Sequence, residues 1–264
     1  MKHAMHRIIT SVLCAFCLTS PALAQDLDEI IQAKLRPGWR MANGIHMAAL
    51  QLDLAPGWKT YWRQPGDSGL APHFDFSQSE GVQTVEVIYP TPKISWLGGS
   101  RNIGYDTRVI FPLQLSLDNT ADITLIGRIE IGVCRELCIP VTLDLTTRLP
   151  AQAPVDRLIE TAREAVPKPG TGKLTCAFSS AEDGMKLELI VPFAEHAFEH
   201  AAIELDNRRL WVDTPKLERQ DGRLIITAQI MTPTGQPMAI GRDGVTTTLF
   251  APNGAIEYRG CLGA

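Results

Sequence analysis

From Ile45 onward the chain repeats one local pattern: a short run, apolar throughout or alternating apolar with polar, closed by turn-forming residues. Such runs occupy Ile45–Leu54, Val82–Tyr89, Val109–Leu117, Ile123–Val133 and Ile139–Leu145. Pro56-Gly57, Pro65-Gly66-Asp67-Ser68-Gly69 and Asp118-Asn119 punctuate them. A period of two suits a pleated strand, whose side chains alternate between faces. Closely spaced strands with Gly/Pro turns argue for an antiparallel sandwich over βαβ units. Helical spacing is confined to two places. Asp26–Leu35 predicts a short leading helix, and Val155–Ala165 predicts a second, with Leu158, Ile159, Ala162 and Ala165 at helical spacing.

The second helix lies between two proline-rich stretches, Pro150–Pro154 and Pro167–Gly172. Proline ends regular structure and stiffens linkers, so a domain boundary is expected there. Beyond it, Lys173–Phe178, Met185–Val191, Ala202–Leu205, Leu210–Val212, Leu224–Gln229, Gly244–Leu249 and Ala255–Arg259 form a second set of expected strands. The predicted fold class is all-β: a sandwich over residues 25–150, a linker with a helix over 151–172, and a second β-sandwich-like domain over 173–264.

Residues 1–24 break the pattern. Lys2, His3, His6 and Arg7 precede an apolar run from Ile8 to Leu18, and Ala22-Leu23-Ala24 follows. A basic start, a short apolar stretch and small residues at the end predict a secretory signal peptide cleaved after Ala24. The run is well short of the roughly 20 residues that span a bilayer, and no other stretch in the mature chain is long and apolar enough. Leu13 and Phe16, standing before Cys14 and Cys17, do not suit lipid attachment. An exported protein is therefore expected. Without the leader, 23 Lys and Arg stand against 29 Asp and Glu, a net charge of −6. With no Lys/Arg block to neutralise phosphates, nucleic acid is not an expected partner. An apolar content of 45% excludes wholesale disorder.

Four cysteines remain in the mature chain, an even set that in an exported protein favours disulfides. Cys134 and Cys138 flank Arg135-Glu136-Leu137, with apolar runs on either side, which predicts a hairpin with a three-residue tip. Opposed residues of such a pair have Cα atoms about 4.5–5.5 Å apart, within the reach of a disulfide. Closing so small a ring removes little chain entropy. A bond of little value to stability, set in a tight turn, is better explained by chemistry that makes and breaks it. Arg135 would lower a neighbouring thiolate's pKa by its charge. An inert hairpin disulfide and a Cu(I) or Zn site remain as alternatives. The latter would need His46, His73, His196 or His200 brought in by folding. His196 and His200 have i,i+4 spacing but no evident third ligand. Cys176 and Cys261 stand 85 residues apart, so a bond there would close a long loop and stabilise by roughly 4 kcal/mol. A structural bond is expected, with a second redox pair or a resolving thiol for the first pair as the alternative.

Three stretches carry a resemblance: Cys134-Arg-Glu-Leu-Cys138-Ile-Pro140 after Gly132-Val133; Ala55-Pro-Gly-Trp-Lys-Thr-Tyr-Trp-Arg-Gln-Pro-Gly-Asp-Ser-Gly69; and Tyr89-Pro90 with Ile103-Gly104-Tyr105 and Val109-Ile110-Phe111-Pro112. Over roughly residues 40–150 the chain resembles the N-terminal periplasmic domain of the thiol:disulfide interchange protein DsbD and its soluble, ScsB-type relatives. The resemblance implies an immunoglobulin-like sandwich whose cysteine pair exchanges with periplasmic thioredoxin-like or other disulfide-bearing proteins, with no cofactor. It implies Cys138 as the attacking thiol and Cys134 as the resolving one. It also implies a cap loop around Trp96, Gly98, Gly99, Ile103, Gly104 and Tyr105, whose glycines supply the flexibility of a lid. The C-x3-C spacing is shorter than in DsbD. No counterpart of DsbD's membrane and thioredoxin-like domains is present, so a separate membrane protein would donate electrons. Trp58, Tyr61 and Trp62 match the signature and read as sandwich core. The competing function is a non-catalytic binding module for a partner protein or copper, with an inert hairpin bond.

Overall fold

The computed structural model describes residues 27–118, 121–191, 198–207 and 209–264. The expected leader with Cys14 and Cys17, the turn residue Asn119, and His196 lie outside them. A four-residue helix α1 (Leu27–Ile30) leads into β1 (Ile31–Arg40), β2 (His46–Leu54), β3 (Thr60–Gly66), β4 (His73–Asp75) and β5 (Val82–Val87). Then come β6 (Lys93–Leu97), β7 (Ser100–Tyr105), β8 (Arg108–Leu117), β9 (Ile123–Cys134) and β10 (Cys138–Leu149). Helix α2 (Arg157–Glu164) precedes β11 (Lys168–Pro169), β12 (Leu174–Ala181), β13 (Gly184–Val191), β14 (His200–Leu205) and β15 (Trp211–Val212). The chain closes with β16 (Lys216–Gln220), β17 (Arg223–Met231), β18 (Val245–Ala251), β19 (Gly254–Arg259) and β20 (Cys261–Gly263). The fold is all-β, an immunoglobulin-like sandwich followed by a second β-sandwich-like unit, with α2 between them.

In the first half, a sheet of order β1-β2-β8-β5 and a sheet of order β10-β9-β4 share one core. Ala48, Leu50 and Leu52 of β2 and Phe111, Leu113 and Leu115 of β8 meet Leu125, Ile129, Ile131 and Val133 of β9. The opposite face of β2 carries Met47 and Ala49, which join Trp39, Ile110 and the buried Ile159 of α2. Covering both faces explains why β2 reads as a nearly unbroken apolar run. Asp156 caps α2 by accepting from the Leu158 amide at 3.0 Å and binds the Arg36 guanidinium. Leu158, expected on the buried face, is exposed.

The leading helix is shorter than its spacing predicts. From Ile31 the chain is strand, paired with β2 from Ile31↔Leu54 to Arg36↔Ala49. Ile31 and Leu35 fit a helix face, but they also fit alternation, and a partner strand supplies the hydrogen bonds that decide between the two. β3, β6 and β7 form a third sheet of order β3-β7-β6.

In the second half, sheets of order β11-β19-β18-β14 and β15-β17-β13-β12-β20 enclose a separate core of Leu187, Leu189, Ile226, Ile230 and Leu249. Cys176 and Cys261 are bonded, Cα to Cα 5.7 Å, joining the neighbouring strands β12 and β20. The two halves touch along β3. Trp62 packs edge-on against Phe250 at 5.8 Å, and Arg63 Nε donates to Glu204 at 2.9 Å while its Nη2 pairs with Glu257. Among the described residues no helix is long and apolar enough to cross a membrane.

Candidate redox site

β9 ends at Cys134 and β10 begins at Cys138, and the ladder pairs these two residues directly, followed by Val133↔Ile139 and Gly132↔Pro140. The tip Arg135-Glu136-Leu137 closes through the Arg135 amide, which donates to the Leu137 carbonyl at 3.3 Å. The two cysteines are bonded, Cα to Cα 4.1 Å. Their surroundings are unlike. Cys134 is wholly buried, whereas Cys138 is exposed beside Leu137, itself 81% exposed.

The segment before and within β3 forms the inner wall. Lys59 and Cys134 exchange backbone hydrogen bonds at 2.8 and 2.9 Å, and the Thr60 hydroxyl donates to the Gly132 carbonyl at 3.0 Å. The Tyr61 hydroxyl donates to Cys134 Sγ at 3.0 Å and stands 3.2 Å from Cys138 Sγ. Tyr61 is 2% exposed, and burial pushes its phenol above the usual range. It therefore stays protonated and keeps its donor at physiological pH. Its neighbour Trp62 points the other way, into the shared core, as strand alternation requires. By sequence all three aromatics of the signature read as core. Trp62 is there, and Trp58 is buried too with the Arg135 guanidinium 5.3 Å from its ring centroid, but Tyr61 belongs to the disulfide. The overlooked signal was its hydroxyl, a polar tip that a buried position must satisfy.

The expected cap segment is a β-hairpin. Gly98 and Gly99, at φ +57° and +85°, form its turn. Ile103 and Tyr105 are buried; the Tyr105 hydroxyl donates to the Pro90 carbonyl at 2.8 Å, and Gly104 lies against the Thr60 carbonyl. These three are wall rather than lid. Trp96 is 58% exposed and packs edge-on to His200, ring centroids 6.3 Å apart. The hairpin flanks β3 through Tyr61↔Gly104 and Thr60↔Tyr105, on the edge opposite the one that meets Cys134. Leu70, 45% exposed, lies against the bare face of Gly132.

Of the histidines considered as metal ligands, His46 is buried against the Pro37 carbonyl, His73 is exposed in β4, and His200 lies by Trp96. Among the described residues no group of three or more His, Cys, Asp or Glu side chains could hold a metal ion.

The family model for the N-terminal domain of the thiol:disulfide interchange protein DsbD matches residues 31–150, the span that builds this site. Residues 31–150 are a DsbD N-terminal-like domain. The whole chain is similar in fold to the N-terminal periplasmic domain of ScsB from Proteus mirabilis, with a TM-score of 0.63 at 23% identity over 88% of this chain and 92% of that one. That match extends past the DsbD N-terminal-like domain, so the second β unit shares its fold too. A chain from a structure of manganese lipoxygenase of Gaeumannomyces graminis and zonadhesin of Komagataella pastoris aligns at 9% identity over 87% of this chain and 92% of that one. Its TM-score is 0.22. No curated protein matches the chain. The family model places residues 31–150 among thiol:disulfide interchange-related domains, and the Cys134–Cys138 hairpin lies within that span.

Proposed function

We propose that this chain is a periplasmic thiol–disulfide exchange protein that relays reducing equivalents to disulfide-bearing partners, thioredoxin-like proteins among them, through Cys134 and Cys138. One observation carries the reading: a hairpin disulfide with one half buried and the other exposed, and a protonated hydroxyl against both sulfurs. In the reduced protein the exposed Cys138 thiolate attacks a partner's disulfide. A mixed disulfide forms and the partner's other sulfur leaves as a thiolate. Cys134 then attacks Cys138 Sγ, re-forming the internal bond and releasing the partner's second thiol. Two electrons pass to the partner, whose two sulfurs take up the protons. Tyr61 donates to whichever sulfur bears the charge, which favours the thiolate.

The periplasmic setting is supported by the leader read at residues 1–24, cleaved after Ala24, and by the ScsB likeness, which concerns a periplasmic domain. A separate membrane protein would return the chain to its reduced form. The exchange unit is assigned to 25–150, the linker with α2 to 151–172, and the second unit to 173–264, where Cys176–Cys261 serves as a structural clamp. Of the expected cap, the tip from Trp96 to Gly99 retains the exposure and the glycine turn that a lid needs.

Cys134→Ala leaves Cys138 without its resolving thiol and is expected to accumulate mixed disulfides with periplasmic proteins on non-reducing gels. Cys138→Ala, which leaves only the buried thiol, is expected to trap far less. If neither variant traps a partner and the Cys134–Cys138 pair titrates below about −300 mV, the bond is structural and the relay reading fails.

A further inference from the structure

Two glycines beside the disulfide are not explained by backbone conformation. Gly69 and Gly132 both lie outside the left-handed region, so any residue could adopt their φ, unlike Gly66 at +92°. What they lack is room. A Cβ on Gly69 would fall 2.4 Å from Tyr61 Cδ1 and 2.5 Å from Cε1. A Cβ on Gly132 would fall 3.3 Å from Tyr61 Cδ2 and 2.9 Å from Leu70 Cβ. The two glycines thus face opposite edges of one ring, from segments that are far apart in sequence. That ring carries the hydroxyl standing 3.0 and 3.2 Å from the two sulfurs.

We infer that Gly69 and Gly132 are positioning residues whose bare faces form the slot that seats Tyr61 against both sulfurs of the redox pair. The inference deepens the exchange reading and rests on it for its purpose, but its geometry concerns the tyrosine and the sulfurs alone. A methyl on Gly69 forces the ring out of a 2.4 Å overlap, since side chains tolerate no such approach. A hydrogen bond at 3.0 Å does not survive a displacement of that order. A methyl on Gly132 presses the ring less and Leu70 more, so its effect is smaller and has the same sign.

The test reads thiolate formation in the full-length reduced protein, by the pH dependence of iodoacetamide alkylation at Cys138. Tyr61→Phe removes the donor and is expected to raise the alkylation midpoint by about one pH unit, a roughly tenfold slower reaction near neutrality. Gly69→Ala is expected to move the midpoint in the same direction, and Gly132→Ala by a smaller step. Gly69→Ala combined with Tyr61→Phe is expected to add nothing to Tyr61→Phe alone, because both act on one hydrogen bond. If the glycines serve only folding, the alanine variants lower the urea midpoint and leave the alkylation midpoint at the wild-type value, which overturns the proposal. Should Gly69→Ala fail to fold, Gly132→Ala decides by the same criterion. Alkylation needs no partner, so a chain that traps no protein yet shows the shift loses the relay reading and keeps the slot.

Discussion

His46 shows how a single buried side chain ties this fold to pH. Its ring is wholly buried in β2, Nε2 donates to the Pro37 carbonyl at 2.7 Å, and Nδ1 has no partner among the described residues. Burial holds its pKa below the ordinary 6.5; the Pro37 hydrogen bond opposes that shift and the nearby Arg40 charge reinforces it. The unfolded chain therefore takes up a proton as pH falls through about 6.5, while the folded chain resists it. Stability is retained above that pH and is lost below it, by at most about 1.4 kcal/mol per pH unit from this group. Urea unfolding at pH 7.5 and 5.5 should show the loss, and His46→Gln should flatten it; equal slopes would exclude His46 as the source. Tyr61 teaches a different lesson at this scale. The alternation that sends Trp62 into the core sends Tyr61 to the other face, and this much is legible in the sequence. That the other face holds a disulfide depends on which strand lies alongside, which no local pattern records.

β3 is an element whose sequence hides it. Pro65-Gly66-Asp67 reads as a turn cluster, yet Gly66 pairs with Asn102 of β7 across an irregular register, and the Asp67 carboxylate accepts from the Arg101 amide at 2.8 Å. Gly66 is required twice over, by its φ of +92° and because a Cβ would stand 2.3 Å from the Arg101 carbonyl oxygen. Gly66→Ala should therefore destabilise the fold by at least about 1–3 kcal/mol, seen as a lower urea midpoint with an unchanged slope; an unchanged midpoint would show that β3 relaxes freely. Strands with long apolar runs, β2, β8 and β9, are legible because core burial writes them into the sequence. β6 and β7 read as a lid because Gly98, Gly99 and Gly104 dominate the segment. Gly104 is there so that β7 can approach the Thr60 carbonyl, a packing demand that composition cannot distinguish from flexibility.

The halves of the molecule are joined through the strand that carries Tyr61. Arg63 lies 4.0 Å over the Trp62 ring and bridges Glu204 of β14 and Glu257 of β19, each largely buried. Burial raises the pKa of Glu204 despite the Arg63 charge beside it, and Arg63, with Arg259 on Glu257 at 3.0 Å, keeps the two neighbouring carboxylates tolerable there. Arg63→Ala should cost about 2–3 kcal/mol in urea unfolding at pH 7, and Arg63→Lys, which keeps the charge without the fork, should recover part of it. No change in either variant would mean that the other contacts between the halves, such as Arg101 Nη1 donating to the Ala201 carbonyl at 2.9 Å, hold the second unit without Arg63. The contact was beyond sequence reading because its members lie more than a hundred residues apart and nothing local marks Arg63 as different from a solvated arginine.

By itself the sequence determined the all-β class, the main core strands, the linking helix near Ile159 and the hairpin that sets Cys134 opposite Cys138. Each of these follows from short-range physics: a period of two, a helical spacing, a three-residue tip between apolar runs. The tertiary structure alone decided what stands around the disulfide. Tyr61, its flanking glycines and the Arg63 joint come from segments distant in the chain, and they meet only because burial and strand pairing bring β3 between the hairpin and the second unit. Local patterns encode how a segment folds, whereas the partner it meets is settled by packing the whole.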